Sequence, residues 1–183
     1  PRPETELLID IIKDRNYSTA LDIGTGTGCL GITLILENIV KYVDAIDISE
    51  EALEIAKKNS EKFNVSNITY FKLDILNSIP DCKYDIIISN PPYISNKEYA
   101  LLDIEVKNNE PCNALTDLKD GYTFYKRYAS ILKYILNKKG IAVFELSHFS
   151  KQKKLLEIFN NFSNINFHKD LNGDCRAMTI AYD

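Results

Sequence analysis

Apolar residues recur along this chain in two rhythms that take turns. Residues 5–15 place Leu7, Leu8, Ile11 and Ile12 on one side, the spacing of an amphipathic helix. Residues 20–23 then form a short apolar run that predicts a buried strand, and residues 28–38 predict a helix opening at a glycine turn. The alternation continues with a strand over 42–47, a helix over 50–63 capped by Ser49, and strands over 68–73 and 84–89. Residues 94–120 lack a clear period and carry Asn, Glu and Pro punctuation, which predicts an irregular segment lying over the site. A helix over 122–137 ends at Lys138-Lys139-Gly140, where positive charge and a glycine suit a helix C-terminus. A fifth strand (141–145), a helix (149–160) and two closing strands (165–169 and 178–182) complete the pattern.

Strands alternating with helices imply an α/β fold with a mostly parallel sheet covered on both faces. The last two strands are separated only by residues 170–176, a loop short enough for a hairpin, so one strand near the C-terminus should run antiparallel. Seven strands in all are expected, with ligands beyond their carboxyl ends. Nothing divides the chain internally, so residues 1–183 read as one domain.

Composition narrows the classes. The chain has 183 residues, 45% of them hydrophobic, enough for one sizeable core. Its net charge of −4 argues against non-specific nucleic-acid binding, which needs a basic face. The sequence shows no bilayer-length apolar run. The four cysteines are scattered without metal spacing, and the two histidines, His148 and His168, lie far apart. This pattern predicts no metal site and a reducing, cytoplasmic location.

Two stretches carry candidate chemistry. The first is Asp22-Ile23-Gly24-Thr25-Gly26-Thr27-Gly28, which follows a strand and opens a helix. Glycines there let the backbone turn tightly and approach a ligand. The G-x-G-x-G spacing differs from the G-x-G-x-x-G of dinucleotide sites. An acid near the loop suits a cofactor with an ammonium group and no phosphate, which favours S-adenosylmethionine over NAD. Asp47, at the end of the second strand, can accept from both ribose hydroxyls, and a cap for the helix starting near Ser49 is the competing reading. Asp74, at the end of the third, is placed for the adenine amine, and a plain turn residue is the competing reading.

The second stretch is Asn90-Pro91-Pro92-Tyr93, which stops a strand of isoleucines. Neither proline can donate to a sheet, so the segment is a rigid extended turn. The Asn90 side-chain oxygen and the Pro91 carbonyl form two acceptors side by side, matched to an NH2 group. Tyr93 adds an aromatic face for a planar amide or base. The acceptor is thus expected to be a planar NH2 group, oriented toward the methyl on sulfur, with Asn90 as the catalytic residue.

These two motifs together resemble the class I methyltransferases, with their Rossmann-like sheet, that modify amide or exocyclic nitrogen. Pro1-Arg2-Pro3-Glu4-Thr5-Glu6 is similar to the P-R-P-x-T-E segment of the HemK/PrmC family of peptide chain release factor glutamine methyltransferases. Glu110-Pro111 with Ala114-Leu115 resembles that family's E-P-x-x-A-L, and Asp120-Gly121, Phe144-Glu145 and Asp170-Leu171-Asn172-Gly173 with Arg176 also match. The resemblance implies S-adenosylmethionine as methyl donor, S-adenosylhomocysteine as product, and no metal. It places the cofactor on Asp22, Gly24, Thr25, Gly26, Thr27, Gly28, Asp47, Ile48, Asp74, Ile75 and Asn90. It places the substrate amide among Asn90, Pro91, Pro92 and Tyr93. The implied partner is a release factor, whose Gly-Gly-Gln glutamine would be the acceptor, with no membrane or nucleic acid involved. Two departures stand out: many relatives have tryptophan where Ile75 stands, and relatives carry a helical substrate-binding domain ahead of P-R-P-x-T-E, absent here. The competing readings are a nucleic-acid amino-methyltransferase on the same fold (adenine N6 or guanine N2), a cofactor-binding module without catalysis, and an NAD-dependent oxidoreductase.

Overall fold

The fold is described from a computed structural model covering residues 3–104, 107 and 111–181. Pro1, Arg2, Glu110 and Tyr182, which the sequence reading used, lie outside the described residues. The elements in chain order are α1 (Pro3–Asp10), β1 (Tyr17–Ile23), α2 (Cys29–Leu36), β2 (Val40–Asp47), α3 (Glu50–Lys62), β3 (Ile68–Lys72), β4 (Tyr84–Ser89), α4 (Asn96–Leu101), α5 (Cys112–Leu115), α6 (Thr123–Ile135), β5 (Leu136–Glu145), α7 (Gln152–Ile158), β6 (Asn164–Lys169) and β7 (Cys175–Ala181).

The strands form one seven-stranded sheet in the order β3-β2-β1-β4-β5-β7-β6. All pairs are parallel except those of β7, which runs antiparallel to both β5 and β6, as the short 170–176 connection predicted. Strand side chains alternate between two hydrophobic clusters, following the period of two in an extended chain. Ile86 and Ile88 of β4 face α1 and α2, beside Leu8, Ile12, Leu30 and Leu34. Ile87 faces the other way, toward Tyr125, Tyr128 and Leu132 of α6 and Leu155 of α7. Both faces of the central strands are therefore buried, which is why they read as continuous apolar runs.

The chain order reverses direction between β1 and β4, so the carboxyl ends of these neighbours flank a crevice. Ile23 at the end of β1 sits opposite Ser89 at the end of β4. The glycine loop and the Asn-Pro-Pro-Tyr turn begin at the next residues of these two strands.

Three expectations are corrected. The first helix stops at Asp10 and continues as turns, although Ile12 stays buried. The helix expected to run to 137 ends at Ile135, and Leu136 already has extended dihedrals. Gly140 is not its left-handed cap: Lys139 takes the positive φ of 65°, within an irregularity that lets β5 regain its register on β4. Residues 94–120 contain a true helix, α4, whose Ser95 and Glu98 form a reciprocal capping box.

Candidate active site

The glycine loop is anchored from both ends by backbone bonds. The N–H groups of Gly24 and Thr25 donate to the Ile46 carbonyl of β2 at 2.8 and 3.0 Å, and Gly28 opens α2 in a left-handed conformation. Gly24 and Gly26 also have positive φ, of 70° and 56°, and a Cβ built on either would meet no atom within 4 Å. The loop thus turns where only glycine does so without strain, and its outer side is an open cradle. That shape fits a ligand lying close along the backbone.

Asp22 lies beneath this loop, fully buried. Its Oδ2 accepts from the Thr25 hydroxyl at 2.6 Å and from the Gly31 N–H at 3.0 Å, while Oδ1 has no hydrogen-bond partner. Burial pushes its pKa up to about 6, against the pull of the bonds from Thr25 and Gly31. Asp22 therefore shapes the loop from within and presents its negative charge through it rather than on its surface. Thr25 is buried with it, and Thr27 is exposed, its carbonyl held by the Asn59 amide at 2.8 Å.

Asp47 is partly exposed beside the cradle. One oxygen accepts from the Gly26 N–H and the other from the Ser49 N–H, both at 2.9 Å. Each carboxylate oxygen keeps a further lone pair, so the pair can still receive two hydroxyl groups. The next residue, Ile48, is exposed, an apolar surface next to the cradle. Asp74 spends its oxygens on its own turn, accepting from the Leu76 N–H at 2.9 Å and the Asn77 amide at 2.6 Å. Ile75 is buried in the core, and its carbonyl is gripped by the Arg127 Nε of α6 at 2.7 Å. The 74–78 turn is thereby fixed at the sheet's edge.

Across the crevice, the Asn90 side-chain nitrogen donates to the Thr5 hydroxyl of α1 at 3.4 Å, which turns the side-chain oxygen to the other side. The Thr5 hydroxyl in turn donates to Glu145 Oε2 at 2.9 Å, and the Tyr93 hydroxyl donates to Glu145 Oε1 at 2.9 Å. Glu145 is 1% exposed. A buried carboxylate at the end of β5 therefore holds Tyr93 directly and Asn90 through Thr5. Below them, the Ser89 hydroxyl donates to the Ile23 carbonyl at 2.7 Å and lies 2.9 Å from the Tyr128 hydroxyl, tying the starts of the two motifs together. Beyond Tyr93 open two adjoining cavities of about 400 and about 330 Å3 that share Tyr93, Glu98, Ser147 and Phe149 in their walls. The larger is walled further by Ile94, Leu101 and Leu102.

The sequence reading did not assign roles to Thr5, Ser89 or Glu145, or to Asp117, which gathers three backbone N–H groups behind Tyr93. The Asp-x-x-x-Gly spacing of Asp117 and Gly121, and the Ser-x-x-Glu of Ser95 and Glu98, were the available signals. Among the described residues no cluster of three or more His, Cys, Asp or Glu side chains could hold a metal, and no helix is long and apolar enough to cross a membrane.

Residues 3–108 match the family described as "Methyltransferase small domain". The chain is 36% identical over 185 residues to a protein of Fusobacterium nucleatum named release factor glutamine methyltransferase, covering 97% of this chain and 52% of that protein. It is 37% identical over 191 residues to a Bacillus subtilis protein of the same name, covering 97% of this chain and 66% of that one. The chain thus spans about half to two thirds of the length of these curated relatives. Among solved structures, a ribosomal protein L11 methylase from Lactobacillus delbrueckii subsp. bulgaricus superposes with a TM-score of 0.68 at 20% identity, over 98% of this chain and 77% of that one. This likeness shows a shared fold. On the family match over more than half of its length, the chain belongs to the methyltransferase small-domain family.

Proposed function

We propose that this chain transfers a methyl group from S-adenosylmethionine to the side-chain amide nitrogen of a protein glutamine, and that the protein is a peptide chain release factor modified at its Gly-Gly-Gln glutamine. What supports this reading is the place of Asn90, the residue after β4, beside the glycine loop, with its side-chain nitrogen donating to Thr5 so that the side-chain oxygen is left to accept. With the Pro91 carbonyl as a second acceptor, the turn would suit an NH2 group, which has two N–H bonds to donate. The names of the relatives supply the protein and the residue.

In this reading the cradle of Gly24, Thr25, Gly26, Thr27 and Gly28 takes the amino acid part of the cofactor, with the Asp22 charge beneath it. Asp47 takes the ribose hydroxyls, Ile48 packs on the adenine, and the turn at Asp74 and Ile75 closes its far edge. The bound donor supplies an electrophilic methyl on a sulfonium. Asn90 Oδ1 and the Pro91 carbonyl accept the two amide N–H groups and aim the nitrogen along the methyl–sulfur axis. Pro92 keeps the turn rigid, and the Tyr93 ring packs on the amide plane. The new N–C bond takes the nitrogen's electron pair, the S–C pair stays on sulfur, and one N–H proton leaves to water. A glutamine nitrogen is a weak nucleophile because its lone pair is shared with the carbonyl. The two acceptors act most strongly as positive charge grows on it, so they favour the transition state over the ground state. The four cysteines are free thiols, which fits a reducing compartment, and we place the chain in the cytoplasm.

The test is incubation of the chain with methyl-labelled S-adenosylmethionine and a purified release factor, followed by mass spectrometry of the peptides. Label on the Gly-Gly-Gln glutamine is the expected result. Label on an adenine or guanine of added nucleic acid, with none on the glutamine, would replace this reading by the nucleic-acid one.

A further inference from the structure

The Asn-Pro-Pro-Tyr turn leaves the sheet after Ser89 and has no strand partner of its own to hold it. Its support comes from a segment more than twenty residues later in the chain. The Ile94 N–H donates to the Leu115 carbonyl, and the Asn96 N–H to the Lys119 carbonyl, each at 3.0 Å. Ile94 also bridges Thr116 in a parallel sense. Residues 93–96 therefore lie along 115–121 as a short ribbon.

Two residues make that ribbon possible. Asp117 accepts from the Lys119 and Gly121 N–H groups with Oδ1, at 2.8 and 3.0 Å, and from the Thr123 N–H with Oδ2, at 3.0 Å. Burial works against its charge, yet the hydrogen bonds from Thr123, Lys119 and Gly121 outweigh it and hold the carboxyl below its ordinary range. The result is a tight coil of backbone, wrapped about one carboxylate and welded to the first turn of α6. Gly121 is where this coil meets the acceptor turn. It is buried, with φ of +78°, and a Cβ there would stand 2.5 Å from the Tyr93 carbonyl oxygen. No side chain fits without moving the backbone of Tyr93 itself.

The connection closes on the far side of the same tyrosine. Helix α6 begins at Thr123, its Tyr125 hydroxyl donates to the Glu145 carbonyl at 2.7 Å, and the Glu145 carboxylate receives the Tyr93 hydroxyl. Tyr93 is thus held at its backbone by Gly121 and at its hydroxyl by Glu145, with α6 as the rigid spacer between the two. We propose that Asp117 and Gly121 are positioning residues of the acceptor turn: the carboxylate of Asp117 fixes the coil, and the bare Cα of Gly121 sets where Tyr93, and with it Asn90 and Pro91, meets the acceptor amide. Both act through the Tyr93 backbone.

The inference rests on Asn90 to Tyr93 being the acceptor turn, and its test reads that geometry with and without turnover. Amide hydrogen exchange, followed by mass spectrometry at Ile94 and Asn96, is compared in the wild type, Gly121→Ala and Asp117→Asn. Exchange at these two amides should rise at least tenfold in Gly121→Ala, while the central strands and the glycine loop stay as slow as before. Asp117→Asn keeps the shape and one acceptor oxygen, so it should show a smaller rise in the same two amides. With a glutamine-bearing release factor as substrate, turnover should fall at least tenfold in Gly121→Ala, with S-adenosylhomocysteine affinity held within about twofold. Unchanged exchange at Ile94 and Asn96 in both variants would overturn the proposal. So would a loss of cofactor affinity matching the loss of turnover, which would mark a general loosening of the fold. A wild-type chain that leaves glutamine unmodified would refute the proposed function alone, because the exchange comparison still decides the clamp.

Discussion

At Asn90 and Asp47 two kinds of substitution should separate chemistry from cofactor binding. On the proposed function, Asn90→Ala would remove one of two preorganised acceptors for the amide, and loss of one such partner costs about a hundred- to a thousandfold in turnover. Its effect on cofactor affinity should be small, since the Asn90 side chain is turned between Thr5 and the acceptor side. Asp47→Ala should do the reverse, weakening S-adenosylhomocysteine binding in a calorimetric titration and simultaneously freeing the Gly26 N–H. Near wild-type single-turnover rates for Asn90→Ala would remove it from the mechanism. Asp22 makes a different prediction, about pH. Its pKa of about 6 in the fold lies above the 3.8 of an ordinary carboxyl, so between these values the native state holds a proton that the unfolded chain has lost. Asp22 therefore adds stability below about pH 3.8 that disappears as pH rises through about 6, roughly 3 kcal/mol in all. In urea titrations at pH 4 to 7, Asp22→Asn should flatten that decline, and an unaltered slope would mean that the carboxyl is not the group responsible.

The elements meet through a few buried polar contacts, and these set the next prediction. Ser89 joins β4 to β1 through the Ile23 carbonyl and to α6 through the Tyr128 hydroxyl. Ser89→Ala strands both partners in the core, and a buried unsatisfied group costs about 1–3 kcal/mol. Adding Tyr128→Phe removes one of the orphans, so the double variant should be less destabilised than the sum of the two single variants. Strict additivity in urea unfolding would show that the hydroxyls do not interact. Much of this level was legible beforehand. Strand β4 was placed at both ends, and the Ser49 cap of α3 was read correctly, its hydroxyl accepting from Ala52. Both signals are local: a run of isoleucines, and a serine ahead of a helical period. The end of α6 was missed because tertiary pairing overrode the glycine. Leu136 pairs with Tyr84 of β4, which pulls the chain into the sheet before Gly140 is reached.

For the molecule as a whole, a ligand that binds only the native state should raise its melting temperature by mass action. At a hundredfold excess over Kd the gain is about 2.7 kcal/mol, or roughly 5–10 °C for a domain of this size. S-adenosylhomocysteine should give such a shift and NAD none. A larger shift with NAD would reject the methyltransferase reading. What the sequence determined by itself was the order of the elements, the sense of the sheet and the two loops that frame its crevice. Those features are written in short stretches, where hydrophobic period, glycine spacing and proline constraint act on adjacent residues. Only the tertiary structure decided which of two similar aspartates is buried and which is open: Asp22 went under the loop and Asp47 beside it. The same holds for the partners of the acceptor turn. Thr5 and Glu145 are 140 residues apart, Tyr93 and Glu145 are 52 apart, and their bonds exist because the parallel strands bring α1, β4 and β5 to one end of the sheet. A residue's neighbours along the chain fix its conformation, but which groups share a buried pocket with it is fixed by strand order and register.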